Sequence, residues 1–127
     1  MKQKFLDFFG RLFHLKVKIS DGDHVYRRLH PREHQNGHIS SGAFTDINLS
    51  VNLARLISAA KTILGYPGFR VVMLDVQYLR RECGMEVIHH PMKDEFTKRY
   101  NYSHSLVLGK KNKTMARKIR NRSKIVI

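Results

Sequence analysis

The chain has 127 residues, of which 42% are hydrophobic and 9% aromatic, and this composition is typical of a globular domain rather than a disordered segment. Its 24 lysines and arginines against 10 acids give a formal net charge of +14. A charge of this size favours polyanionic partners, of which RNA and DNA are the commonest, ahead of acidic membranes and acidic proteins. The single cysteine, Cys83, excludes an internal disulfide.

The first residues do not have the pattern of a secretory signal peptide, because Asp7, Arg11 and several lysines interrupt the apolar positions. No apolar run approaches the roughly 20 residues that a membrane-spanning helix needs. Together with the single cysteine, these features predict a cytoplasmic protein without a transmembrane segment.

Residues 2–14 predict an amphipathic helix, because Phe5, Phe9 and Leu12 recur at helical spacing with charged residues between them. Such a helix either packs on its own domain or binds a membrane surface or a protein partner. Both alternatives remain open on the sequence.

The next predicted elements are a strand at 15–19, a turn at 20–23 and a strand over Val25–Leu29, which ends near Arg27 and Arg28. Because successive side chains of a strand point to opposite faces, only one of these arginines can face a given cleft. Residues 30–42 predict a polar loop. A helix should follow, with its apolar stripe between Leu49 and Leu64 and its N-terminal cap at Asp46 or Asn48.

Residues 69–76 (FRVVMLDV) form too long an apolar run for an exposed strand and predict the central, buried strand of a sheet. A short helix should follow and end at Gly84. The remaining predictions are strands at 85–88 and 105–108, a loop at 92–103, a basic helix within the acid-free segment 110–124, and an edge strand at 125–127.

This succession predicts the fold class: a single compact α+β domain over residues 1–127 with a mixed sheet of about five short strands. An N-terminal amphipathic helix (1–16), an α/β core with a central helix (17–109) and a basic C-terminal helical segment (110–127) would make up the domain.

The histidines do not predict a metal site. His30, His34 and His38 are spaced four apart, but Pro31 and Gly37 argue against the helix that would bring them to one face. Serines and Cys83 do not sit in an activated-nucleophile motif, and the sequence has no P-loop and no GxGxxG. No cofactor is therefore predicted from the motifs.

Basic residues predict a phosphate-binding surface, with charge-assisted hydrogen bonds to phosphate oxygens. Two tyrosines beside a basic pair in KRYNYSH (98–104) could stack on bases or could pack within a loop. The candidate nucleic-acid-binding residues are Arg27, Arg28, Arg32, Arg99, Tyr100, Tyr102, Lys110, Lys111, Lys113, Arg117, Lys118, Arg120, Arg122 and Lys124.

The order of VYRRLH (25–30), SSGAFTDINLSVNLARL (40–56) and FRVVMLDVQYLRRECGMEV (69–87) resembles that of ADP-ribosyltransferase-like proteins, including RES-type domains and RNA 2′-phosphotransferases. The resemblance implies an enzyme in which Arg27 or Arg28 holds a phosphate of NAD or of RNA, with Ser41 or Ser50 beside it. The late acidic residue of the transferases is missing, and SHSLVLG (103–109) offers His104 instead.

Two functions therefore follow from the sequence. The first is a small basic protein that binds RNA or single-stranded DNA mainly through the backbone, either alone or as an accessory subunit attached through residues 2–14. The alternative is a transferase-like or RNA phosphate-processing enzyme, with His104 and Ser41 as catalytic residues and NAD as a cofactor. His104 would otherwise be a structural histidine bonded to a nearby carbonyl.

Overall fold

The structure, a computed structural model, describes residues 16–127, and the predicted helix of residues 2–14 lies outside them. The described residues form ten strands: β1 (His24–Leu29), β2 (His34–Gln35), β3 (His38–Ile39), β4 (Asn48–Leu53), β5 (Arg70–Asp75), β6 (Glu86–His89), β7 (Met92–Lys93), β8 (Tyr100–Asn101), β9 (His104–Leu108) and β10 (Lys124–Ile125). They also form three α-helices: α1 (Ala59–Thr62), α2 (Val76–Arg81) and α3 (Lys113–Arg122).

Six of the strands form one sheet in the order β10-β5-β1-β4-β9-β6, and every neighbouring pair in it is antiparallel. The pairs β2–β3 and β7–β8 form two separate hairpins. None of the helices within residues 16–127 is both long enough and apolar enough to cross a membrane.

One face of the six-stranded sheet, called here the core face, carries the hydrophobic core. Val25, Leu53 and Leu74 lie side by side on β1, β4 and β5 and are at most 1% exposed. Helix α3 adds Ala116 and Ile119 to the same core. The residues between these core positions must therefore point to the opposite face, called here the polar face.

The predicted fold class is wrong in three respects. The sheet is antiparallel rather than mixed, it has six strands rather than about five, and the predicted helix with its stripe from Leu49 to Leu64 is absent. In its place are strand β4, a 3₁₀ turn at Ala54–Leu56 and the single-turn helix α1.

The error at β4 has a physical cause. Leu49 and Leu53 are four residues apart, which suits a helix, but Val51 between them is also buried, and this alternation belongs to a strand. The intervening Ser50 and Asn52 are weak helix formers, which agrees with the strand.

Several other predicted elements are confirmed. These are the turn near residue 21, strand β1, helix α2, strands β6 and β9, the basic helix α3 and an edge strand at β10. Gly84 follows α2 with φ +65°, a conformation that favours glycine. The strand predicted at 15–19 is wrong for its described residues, and β5 is buried but lies beside the edge strand β10 rather than at the centre of the sheet.

Lys111 joins the start of β4 to the end of β9. It is only 6% exposed, and its ammonium group lies 2.8–3.1 Å from four backbone carbonyl oxygens. These carbonyls belong to Asp46, Ile47, Val107 and Gly109. Burial lowers the pKa of Lys111, but four carbonyl oxygens around the ammonium compensate its loss of water.

We expect Lys111→Met to lower the free energy of unfolding by about 3 kcal/mol, because the apolar stem remains while the four carbonyls lose their donor. Urea unfolding followed by circular dichroism would measure the change. The matched control is Lys110→Met, an exposed neighbour, which should stay within about 0.5 kcal/mol of the wild type. An equally small effect at Lys111 would contradict this structural role.

Candidate functional site

The candidate site is on the polar face, where side chains of β1, β4 and β9 come together. Tyr26 pairs with Asn52, and Asn52 pairs in turn with His104 on the far side of β4. Arg28 and Ser50 lie two residues away on the same face of their strands. Alternation along three adjacent strands thus collects Arg28, Ser50 and His104.

Contacts on three sides fix the guanidinium of Arg28. Its Cζ lies 4.1 Å from the centroid of the Tyr66 ring, in a cation–π arrangement. Nε donates a hydrogen bond to the carbonyl of Thr62, and Nη2 lies 3.5 Å from a carboxylate oxygen of Asp94. No described residue accepts a hydrogen bond from Nη1, so Arg28 keeps donor capacity for a ligand.

Asp94 organises the turn that leads from β7 to β8. Its carboxylate accepts hydrogen bonds from the backbone N–H groups of Phe96 (2.8 Å) and Thr97 (2.9 Å) and from the hydroxyl of Tyr66. Partial burial opposes ionisation of Asp94, but these hydrogen bonds and nearby Arg28 outweigh it and lower its pKa. Burial and the hydrogen bond to Asp94 raise the pKa of Tyr66 to about 12.

The hairpin β7–β8 is fastened to the polar face through the amides of Asn52 and Asn101. Asn52 is 2% exposed, and its Oδ1 accepts a hydrogen bond of 2.7 Å from Nδ2 of Asn101. Ser103 supplies a further hydroxyl, 3.2 Å from Oδ1 of Asn52 and 2.6 Å from Oδ1 of Asn101. This network is internal and leaves the space in front of Ser50 open.

His104 is 8% exposed and holds a defined orientation. Its Nδ1 lies 2.7 Å from the backbone carbonyl oxygen of His90, and its Nε2 lies 3.2 Å from the hydroxyl of Ser50. Because a carbonyl only accepts, we assign the proton to Nδ1, and Nε2 then accepts from Ser50. Burial lowers the pKa of His104, although the hydrogen bond to His90 opposes the shift.

Between the sheet and the β7–β8 hairpin lies a cleft of about 260 Å³, called here the sheet cleft. Its polar lining residues include Arg28, Ser50, Asn101 and His104. Its mouth carries an aromatic pair, Tyr66 and Phe96, with ring centroids 5.1 Å apart and Phe96 68% exposed. The cleft is therefore lined by a cation, a hydroxyl, an imidazole and aromatic surface, together with the carboxylates of Asp94 and Glu95.

A wider groove of about 460 Å³ lies elsewhere, at the start of helix α2. Its two arginines are matched by acids: Arg81 pairs with Asp21, and Arg122 pairs with Asp75. A phosphate in this groove would have to compete with these carboxylates, as it would with Asp94 in the sheet cleft. The sheet cleft is the better candidate because it also places the hydroxyl of Ser50 beside the imidazole of His104.

Arg27 and Arg28, which are adjacent in the sequence, point to opposite faces of the sheet, as the alternation of side chains along a strand requires. Arg28 lines the sheet cleft, whereas Arg27 points to the core face and is tied to the backbone. Its Nε and Nη1 donate to the carbonyls of Ala43 (3.2 Å) and Ser50 (3.0 Å). Burial lowers the pKa of Arg27.

The remaining candidates occupy other places. Ser41 begins the 3₁₀ turn Ser41–Phe44, whose Ala43 and Phe44 are in the core, and it does not line the cleft. Arg32 is exposed in the 3₁₀ turn Pro31–Glu33. Tyr102 packs edge-on against His89 with centroids 4.9 Å apart.

Arg99 and Tyr100 line a smaller pocket of about 170 Å³ that shares Arg28 with the sheet cleft. Nη2 of Arg99 donates to the carbonyl of Leu64 at 3.0 Å. These two residues therefore border the candidate site without entering it.

Helix α3 presents a basic outer side, called here the basic helix surface, while Ala116 and Ile119 face the core. The exposed members of this surface are Lys113, Arg117, Lys118 and Arg122. Lys118 donates to the carbonyl of Glu82 at 3.0 Å, whereas Lys113 and Arg117 make no ion pair with any described residue. Lys110 and Lys124 are exposed at either end of the helix, and Arg120 is half-buried within it.

The histidines predicted to form no metal site are spread over several elements. Within residues 16–127, no three His, Cys, Asp or Glu side chains lie close enough together to hold a metal ion.

Sequence reasoning missed Tyr66, Asp94 and Phe96 of the cleft, and it reached Ser50 only through the family resemblance. The alternation in NLSVNL (48–53) carries the signal for Ser50, because reading it as a strand puts Ser50 on the polar face. The positions of the other three depend on long-range packing, which no local pattern shows.

Comparison of the chain with models of known families, with curated proteins and with solved structures found no match. The resemblance to ADP-ribosyltransferase-like proteins stays a prediction.

The free energy of unfolding should decrease as the pH drops below about 6.5, the ordinary pKa of histidine, because His89 and His104 are buried in neutral form. Burial lowers the pKa of both, so below this pH the unfolded chain binds more protons than the folded one. Each group contributes at most about 1.4 kcal/mol per pH unit.

Urea unfolding between pH 5 and 8 would measure this dependence. His104→Asn should reduce it, while His38→Asn, at an exposed position, should leave it unchanged. A stability that is flat from pH 7 to 5 would contradict the assignment of neutral rings.

Proposed function

We propose that this protein binds nucleic acid, mainly through contacts to the phosphate backbone. The observation that carries the proposal is the basic helix surface, where Lys113 and Arg117 lie one helical turn apart, exposed and without an ion pair to any acid within residues 16–127. The segment 110–124 contains no acid, and the chain as a whole carries +14. Lysine and arginine arranged in this way bind phosphates with little dependence on base sequence.

The affinity for single-stranded oligonucleotides should fall steeply with salt, because each neutralised phosphate releases condensed counterions. We expect Lys113→Gln with Arg117→Gln to make the slope of log K against log salt less negative by about 1.4, at about 0.7 per contact. Fluorescence anisotropy with labelled RNA and DNA oligomers at several salt concentrations would measure it.

The matched control is Lys16→Gln with Lys18→Gln, which removes the same charge from exposed positions outside helix α3. Equal slopes in both double variants would mean that only the overall charge matters. No binding to either nucleic acid at low salt would contradict the proposed function.

A second candidate function is that of a phosphate-processing enzyme of the ADP-ribosyltransferase-like or RNA 2′-phosphotransferase type, with its site in the sheet cleft. One observation favours it: Arg28, Ser50 and His104 line the same cleft, and Arg28 keeps Nη1 available for a phosphate. In this second function Arg28 would hold the phosphate, because Arg27 donates its hydrogen bonds to backbone carbonyls.

Thermal shift tests this second function, with NAD and with a 2′-phosphorylated oligonucleotide compared with the same oligonucleotide lacking the 2′-phosphate. A ligand that binds the folded state raises the melting temperature. Arg28→Gln should abolish the shift with NAD and the extra shift due to the 2′-phosphate, whereas Arg32→Gln, an exposed arginine outside the cleft, should preserve both. No shift with NAD, together with equal shifts for the two oligonucleotides, would contradict this second function and leave nucleic-acid binding alone.

A further inference from the structure

We propose that Ser50 is a nucleophile, activated by His104 as general base, for the hydrolysis of phosphate esters in the sheet cleft. The choice of a phosphate ester rests on the proposed nucleic-acid function, whereas the pairing of Ser50 with His104 does not. Nε2 of His104 lies 3.2 Å from Oγ of Ser50, within the distance needed for proton transfer.

The base has the third partner that such sites require. The carbonyl of His90 holds Nδ1–H of His104 at 2.7 Å and so leaves the Nε2 lone pair directed at the serine. Nδ1 of His90 lies 3.4 Å from Nδ1 of His104, near the same proton. The imidazole is therefore fixed in tautomer and in orientation before any substrate binds.

Ser50 differs from the other polar groups of this face. Asn52 and Ser103 are at most 4% exposed, and their side chains form hydrogen bonds with each other and with Asn101, as structural groups do. Ser50 is exposed and lines the cleft, and its strand is fixed through its backbone rather than its hydroxyl. An open hydroxyl against a buried, oriented imidazole is the arrangement of an activated nucleophile.

Arg28 indicates the charge of the substrate. It lines the same cleft as Ser50, and its contacts with Tyr66 and Asp94 fix it in place. A positioned guanidinium stabilises the negative charge that develops on phosphoryl oxygens in the transition state. The exposed ring of Phe96 at the mouth offers a stacking surface for a base.

The reaction balances with water as the only co-reactant. Oγ of Ser50 attacks phosphorus while its proton passes to Nε2 of His104, and the departing alkoxide takes that proton as the P–O bond to it breaks. Water then attacks the phosphoserine, gives one proton to Nε2, and the P–Oγ bond breaks. The proton returns to Oγ, and a phosphodiester substrate has then been converted to a phosphate monoester and an alcohol.

Covalent labelling with diisopropyl fluorophosphate tests the pair without knowledge of the substrate. We expect mass spectrometry to find the adduct on Ser50 and not on Ser20 or Ser58, two exposed serines elsewhere. Ser50→Ala should abolish labelling, and His104→Asn should slow it by about 100-fold or more, the usual contribution of a general base. A folded wild type that is not labelled at Ser50 would overturn the proposal, as would a rate changed less than threefold by His104→Asn.

A second variant covers the case in which His104→Asn does not fold. In Ser50→Cys, the new thiol should react with iodoacetamide at pH 7 at least ten times faster than the thiol of Ser58→Cys. The natural Cys83 should contribute little to either rate because it is buried. Equal rates would contradict activation by His104.

A separate assay tests the proposed class of substrate. Bis(4-nitrophenyl) phosphate should be hydrolysed by the wild type and not by Ser50→Ala. If the wild type hydrolyses only 4-nitrophenyl acetate, and this activity depends on Ser50, the substrate is an acyl ester and the proposed phosphate ester is wrong. Labelling of Ser50 without oligonucleotide binding would contradict the proposed function only, whereas binding without labelling would contradict this inference only.

Discussion

The candidate site depends on the alternation of side chains along β1, β4 and β9. Burial of Leu49 and Leu53 on the core face obliges Ser50 to point the other way, and the same constraint directs Arg28 and His104. A register shift of one residue in β4 would expose its leucines and bury Ser50. The free energy of core formation therefore also fixes the geometry of the polar face.

Not all of the positive charge is available to a partner. Lys111 and Arg27 direct their donors at backbone carbonyls, and Arg28 is partly neutralised by Asp94. The charge that remains exposed on the basic helix surface lies on an element that covers the core face, whereas the sheet cleft opens on the polar face. A strand of nucleic acid that contacts both regions must pass around an edge of the sheet, so the two functions can be tested separately.

The sequence predicted those parts of the fold that local patterns determine. Helix α3 followed from its acid-free amphipathic segment, and β1 followed from its position after a turn. The helix predicted over residues 48–53 was wrong because the spacing of the leucines suits both a helix and a strand, and only pairing with β1 and β9 decides between them. The alternation at 27–28 predicted that the two arginines separate, but which of them faces the cleft depends on which face of β1 is buried, and pairing with β4 and β5 decides this.

The central claim is that the polar face holds Ser50 and His104 as a preoriented pair, and the ¹⁵N chemical shifts of the imidazole test it most directly. At pH 7 and above, we predict a neutral ring protonated at Nδ1, with an Nε2 signal that changes in Ser50→Ala while Nδ1 is unaffected. A charged ring at that pH, a proton on Nε2, or an Nε2 signal indifferent to the loss of the Ser50 hydroxyl would contradict the account.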